Sequence, residues 1–129
     1  MIGIWQSHAD IYLYLLGVSM LLAFGLPLTL VPLRWARLFR WEVPQSQNLV
    51  VFLARSLGIF ISLIAVFAFT VTGASPAKPF FFTFTLWLIA AMALLHAYGA
   101  ICKTQPVTET LEIILWVVLF FVTLCFYPV

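Results

Sequence analysis

Charge is what this chain lacks most. Asp, Glu, Lys and Arg make up only 8% of its 129 residues, against roughly 25% in an ordinary soluble domain. So little polar sequence leaves no room for a water-soluble domain. Six basic residues face four acidic ones, and half of the basic ones sit in one short loop, so the small excess carries no nucleic-acid signal. Cysteine is nearly missing as well. Cys102 and Cys125 form no Cys-x-x-Cys pair, which removes a thiol-oxidoreductase reading. No Lys or Arg precedes the first apolar run and no small-x-small site closes it. That run is therefore expected to stay in the protein rather than be cleaved as a leader.

What is abundant is apolar sequence. Four runs, at 11–31, 49–71, 80–100 and 111–126, fill most of the chain, and the overall hydrophobic share is 65%. A hydrocarbon core about 30 Å thick is crossed by ~20 helical residues, and only helices or closed barrels satisfy their backbone there. The runs are too long and too continuously apolar for alternating barrel strands. The expected fold is an all-α, integral membrane four-helix bundle, with residues 1–129 as a single transmembrane domain.

Charge placement predicts the orientation. Arg34, Arg37 and Arg40 cluster after the first run, opposed by Glu42; Lys78 lies alone in the second loop and Lys103 alone in the third. The positive-inside rule then puts the first and third loops on the cytoplasmic side and both termini outside, periplasmic in a bacterial inner membrane. Segment 33–41 reads Leu-Arg-Trp-Ala-Arg-Leu-Phe-Arg-Trp. It suits a short amphipathic helix in the headgroup layer, with Arg34, Arg37 and Arg40 towards lipid phosphates and Trp35, Leu38 and Phe39 towards acyl chains. A plain basic loop that sets topology fits it equally. Pro27 is expected to kink or loosen the first helix, and Pro32 to end it. With Cys102 at the inner end of the third run and Cys125 at the outer end of the fourth, an internal disulfide is excluded.

Two ridges of small residues mark packing faces. Ala54, Gly58, Ser62 and Ala65 recur along the second run, and Ala90, Ala93, Ala97 and Ala100 along the third. In lipid, helices associate by close backbone approach, which small residues permit. The two helices are expected to pack on each other or on the first. The fourth run has neither Gly nor Ala between 111 and 126, so it meets lipid or offers a bulky face to another chain.

The ionisable residues near the spans are Arg55 in the second, His96 in the third, and Glu109 and Glu112 at the start of the fourth. All fall in the cytoplasmic half of the expected bundle. A charge in hydrocarbon is costly enough to turn inward, find a partner or snorkel. Glu112 is the expected partner of Arg55. Glu109 is expected to complement the helix N-terminus, and His96 to hydrogen-bond either carboxylate. A purely structural tie, or contact of Arg55 with lipid phosphate, explains these residues ahead of a ligand, quinone or ion site, with a catalytic site as the remaining alternative. His8 and Asp10 stand two apart at the outer entrance; Ser7 or Asp10 capping a helix start accounts for them, and no metal is expected. A haem held by His8 and His96 of one chain is excluded by their opposite positions.

The first run has no ionisable residue between 11 and 31, so the chain lacks the embedded carboxylate of the small multidrug exporters. The stretch Phe52-Leu-Ala-Arg55-Ser-Leu-Gly58-Ile-Phe-Ile-Ser62 resembles the second helix of DoxX-like small bacterial membrane proteins. The four-span layout and a polar position late in the third span are similar too. The resemblance carries over Arg55 and Gly58 and implies quinone-linked or redox roles seen in some members, without establishing an enzyme. Three functions follow as expectations. The first is a non-catalytic accessory subunit of a larger membrane complex, contacting lipids or pigments. The second is a quinone- or lipid-binding protein using the inner polar cluster. The third is a transporter or channel assembled as a homo-oligomer. No catalytic residue and no particular cofactor is expected; the partners are membrane lipids and other membrane subunits or copies of the chain, not nucleic acid.

Overall fold

A computed structural model describes all residues, 1–129, and the fold is all-α as expected. Four helices are long and apolar enough to cross a membrane: α1 (Gln6–Leu30), α3 (Asn48–Thr70), α4 (Lys78–Cys102) and α5 (Val107–Phe126). A short helix, α2 (Pro32–Leu38), follows the first span. The spans run a few residues beyond the apolar runs at most ends, because polar residues such as Lys78 and Thr108 still take up helical geometry. The chain divides into two compact units. One comprises residues 1–12 and 71–129, the other residues 13–70.

In the unit of residues 13–70, Pro27 shapes the end of the first span. Proline has no N–H, so the carbonyl four residues earlier, Ala23, loses its helical donor. The helix answers by widening over Leu21–Gly25 into a π turn, in which the N–H of Leu26 reaches the Leu21 carbonyl. Trp35 of α2 then folds back, and its indole N–H donates to the Ala23 carbonyl at 2.8 Å. The indole also stacks on Phe39, with ring centroids 4.5 Å apart. The orphaned carbonyl thus engages the indole N–H, while the ring of Trp35 stays half-buried. Arg34, Arg37 and Leu38 of α2 are exposed, as is Arg40, which follows the helix with a φ of +63°.

The small ridge of α3 meets the first span in this unit. A Cβ on Gly58 would lie 2.5 Å from the Thr29 hydroxyl, 2.7 Å from the Thr29 nitrogen and 2.8 Å from the Gly25 carbonyl. A Cβ on Gly25 would in turn meet the Ser62 hydroxyl at 2.5 Å. Each helix therefore supplies a glycine followed four residues later by a hydroxyl, the close-approach pattern of membrane helix pairs. Both hydroxyls stay satisfied without crossing the interface, because Thr29 donates to Gly25 at 2.7 Å and Ser62 to Gly58 at 2.8 Å. Ala65 is fully buried on the same face, while Ala54 is half-buried at its edge.

In the other unit, α4 and α5 form an antiparallel hairpin. The stripe that α4 buries is Phe81, Phe82, Thr85, Ile89, His96 and Gly99. Ala93 and Ala97 flank that stripe and are half-buried. Tyr12 closes the far end. Its ring stacks on Phe126 at 4.9 Å, and its hydroxyl is 2.5 Å from that of Thr123. Since Thr123 spends its own proton on the Leu119 carbonyl at 2.7 Å, Tyr12 must be the donor of the pair. Asp10 does not cap the helix start. Its carboxylate pairs with Lys78 at 2.5 Å and accepts the Gly73 N–H at 3.0 Å, fastening the turn before α4. The last carbonyls of α5 would be unpaired at a helix end, but the N–H of Gly3 reaches Leu124 at 3.0 Å and that of Trp5 reaches Cys125 at 2.8 Å.

Candidate functional site

The tight turn between α4 and α5 creates the site. Lys103 adopts left-handed geometry, φ +54°, and its N–H bonds to Ala100 while that of Thr104 bonds to Gly99 at 3.0 Å. This pair of bonds is the Schellman ending of a helix. Pro106 then stands at the N-cap of α5, where its missing N–H costs nothing. Four residues thus reverse the chain, and the last turns of α4 face the first turns of α5.

His96 lies six residues before the end of α4, roughly 9 Å along the helix. Its Nδ1 is 2.8 Å from the Met92 carbonyl, and its Nε2 is 3.0 Å from Glu109 and 3.5 Å from Glu112. His96 and Glu109 are both buried, and Glu112 is only partly open. One ligand atom from each of the three lies within 4.8 Å of the others. The glutamates sit three apart on one face of α5, which is why a single imidazole reaches both.

This geometry settles where the imidazole proton must be. A backbone carbonyl only accepts, so the Nδ1 that faces Met92 carries hydrogen. The other nitrogen, Nε2, then presents a lone pair to two carboxylates unless a positive species lies between them. An imidazolium or a protonated glutamate supplies one proton; a metal ion supplies the same positive charge without one.

Neighbouring residues hold the three in place. Gln105 donates its side-chain amide to the His96 carbonyl at 2.9 Å and to the Thr110 hydroxyl at 3.2 Å, bridging the two helices across the turn. Gly99 makes space for it, since a Cβ there would overlap the Gln105 amide. Trp116, one turn beyond Glu112, sets its ring 5.8 Å from the imidazole. Its indole N–H is buried without an acceptor. Met92, Gly99, Gln105 and Trp116 belong to no motif that the sequence alone marks as part of a site.

The expected site residues are thus partly united. His96, Glu109 and Glu112 come together, and His96 stands against both glutamates. Glu109 does more than complement the helix terminus: it is the glutamate nearer to His96. Arg55 belongs to the unit of residues 13–70, where it is exposed on α3 and lines a shallow recess with Gln47, Asn48, Val51, Phe52, Ser56 and Ile59. No carboxylate of that unit pairs with it. His8 is engaged by its neighbour, the Ser7 hydroxyl, at 3.0 Å. Both cysteines are free thiols, Cys102 exposed and Cys125 buried. No protein-family model, curated protein or solved structure matches this integral membrane chain.

Proposed function

We propose that the protein is a small ligand-binding protein of the membrane, with His96, Glu109 and Glu112 as its binding site. The observation that carries this reading is the burial of three ionisable side chains around one imidazole nitrogen that faces only carboxylate oxygens. Ionisable groups within membrane helices are expensive, and those that occur mark ligand or ion sites by default. The three side chains include no serine, cysteine or lysine beside the imidazole, and all three converge as donors on one point, so binding suits them better than catalysis. The test is purification of the full chain in mild detergent, followed by mass spectrometry of the small molecules and ions that remain with it. A species retained by the wild type and lost from His96→Gln and Glu112→Gln supports the reading. Identical retention in all three proteins overturns it.

A second reading rests on Arg55. An arginine exposed in a spanning helix, with no carboxylate partner in its own unit, calls for lipid phosphate or an acidic residue of another chain. An accessory subunit would meet that need, with the bulky face of α5, including Leu111, Ile114, Leu115 and Phe121, available to lipid or protein. Co-migration with a larger assembly that Arg55→Leu abolishes is the outcome this reading expects.

A further inference from the structure

The cluster's geometry points to one class of ligand, and this inference rests on the reading of the cluster as a binding site. We propose that His96, Glu109 and Glu112 bind a first-row divalent transition-metal ion such as Zn²⁺ or Mn²⁺.

Three observations lead there. The first is the tautomer. Metal-ligating histidines almost always donate their second ring nitrogen to a carbonyl or carboxylate, and the Nδ1–H of His96 is so engaged with Met92 at 2.8 Å. That leaves Nε2 free as a ligand, already turned towards both glutamates.

The second is spacing. Bonds of about 2.0–2.2 Å to nitrogen and oxygen in a tetrahedral site put neighbouring donors roughly 3.3–3.6 Å apart. His96 Nε2 lies 3.0 and 3.5 Å from the two glutamate oxygens. The widest separation in the set stays within 4.8 Å, so small carboxylate rotations close the site.

The third is charge. With the imidazole neutral, the two carboxylates carry two negative charges, and a divalent ion cancels both. A single shared proton leaves one charge over, in a place where net charge is costly. The donor set also narrows the ion. One imidazole with two carboxylates suits Zn²⁺, Mn²⁺ or Fe²⁺ better than copper(I), which prefers sulfur, or Mg²⁺ and Ca²⁺, which prefer oxygen alone. Three protein ligands leave a fourth position for water or another small ligand, the arrangement of open rather than structural sites. The buried Trp116 indole N–H, which has no acceptor in the protein, gives such a ligand a donor within the same neighbourhood.

The experiment uses the full chain, purified in detergent with any affinity tag removed, stripped with chelator and then titrated with Zn²⁺ and with Mn²⁺. Bound metal is counted by elemental analysis, and the unfolding temperature is followed in parallel. The expected result is one ion per chain, a metal-dependent rise in unfolding temperature, and an affinity at least about ten-fold weaker in Glu112→Gln, a near-isosteric change. His96→Gln should lose the ion altogether. If His96→Gln fails to fold, Glu112→Gln and the temperature shift still decide the matter.

Two results overturn the metal. If no ion binds but an organic molecule is retained by the wild type and lost from Glu112→Gln, the cluster remains a binding site and its ligand is not a metal. If neither ion nor organic molecule distinguishes the variants, and they differ from wild type only in stability, the binding reading falls together with the metal.

Discussion

The indole N–H of Trp35 donates, at 2.8 Å, to the one carbonyl that Pro27 deprives of its helical partner, that of Ala23. An unsatisfied carbonyl at membrane depth is costly, so this bond is what makes the proline tolerable. Trp35→Phe keeps the ring stacking and removes the donor. It should destabilise the protein by about 1–3 kcal/mol. Pro27→Ala restores a backbone donor, so the double variant should recover part of that loss. Chemical or thermal unfolding in detergent measures both. Additive losses would show that the two residues do not share the carbonyl.

The crossing of α1 and α3 tolerates nothing larger than hydrogen at Gly58. An added Cβ would meet the nitrogen of Thr29 and the carbonyl of Gly25, both backbone. Unlike a side chain, these cannot rotate away. Gly58→Ala should cost about 1–3 kcal/mol, as overpacking does, whereas Ala54→Ser, at the half-buried edge of the same ridge, should change little. Parallel unfolding curves for the two variants check this.

Lys103 carries a left-handed backbone at the turn between α4 and α5. That conformation costs a residue with a Cβ about 1 kcal/mol relative to glycine. Lys103→Gly should therefore raise stability by up to that amount, and Lys103→Ala, which removes the same charge, should not. A gain in both variants would trace to the charge instead.

Cys102 is an exposed thiol at the end of α4, and Cys125 is buried. With the first and third loops inside, a membrane-impermeant maleimide should leave Cys102 unlabelled in intact cells and label it after permeabilisation. Labelling of intact cells would reverse the orientation read from Arg34, Arg37, Arg40 and Lys103.

The four spans were legible because lipid imposes one requirement, uninterrupted apolar length, and 11–31, 49–71, 80–100 and 111–126 meet it on composition alone. Gly58 and Ser62 were legible as a packing face for the same reason that they work: they are small. Their counterpart was not, because Gly25 and Thr29 flank Pro27 and read as a loosened helix end rather than as an interface. The gathering of His96 with the glutamates could be anticipated from a short third loop. Which glutamate His96 favours could not, since Glu109 and Glu112 share a helix face and only the tightness of the Schellman turn decides their register. The bond of Trp35 was hidden for a related reason: its acceptor is created by a missing N–H eight residues earlier, which the amphipathic pattern of 33–41 does not reveal.

The bonds from Gly3 and Trp5 to the carbonyls of Leu124 and Cys125 join segments about 120 residues apart in sequence. Contacts between such distant segments form late and slow the completion of a fold. During synthesis α1 enters the membrane long before α5 exists, so its first turns have to wait for the clasp that finally holds them. A bulky fusion placed before Gly3 would sit on that clasp, and the damage would surface as poor yield of assembled protein rather than as loss of any span. For a protein this small, the choice of which end carries the tag is itself a structural decision.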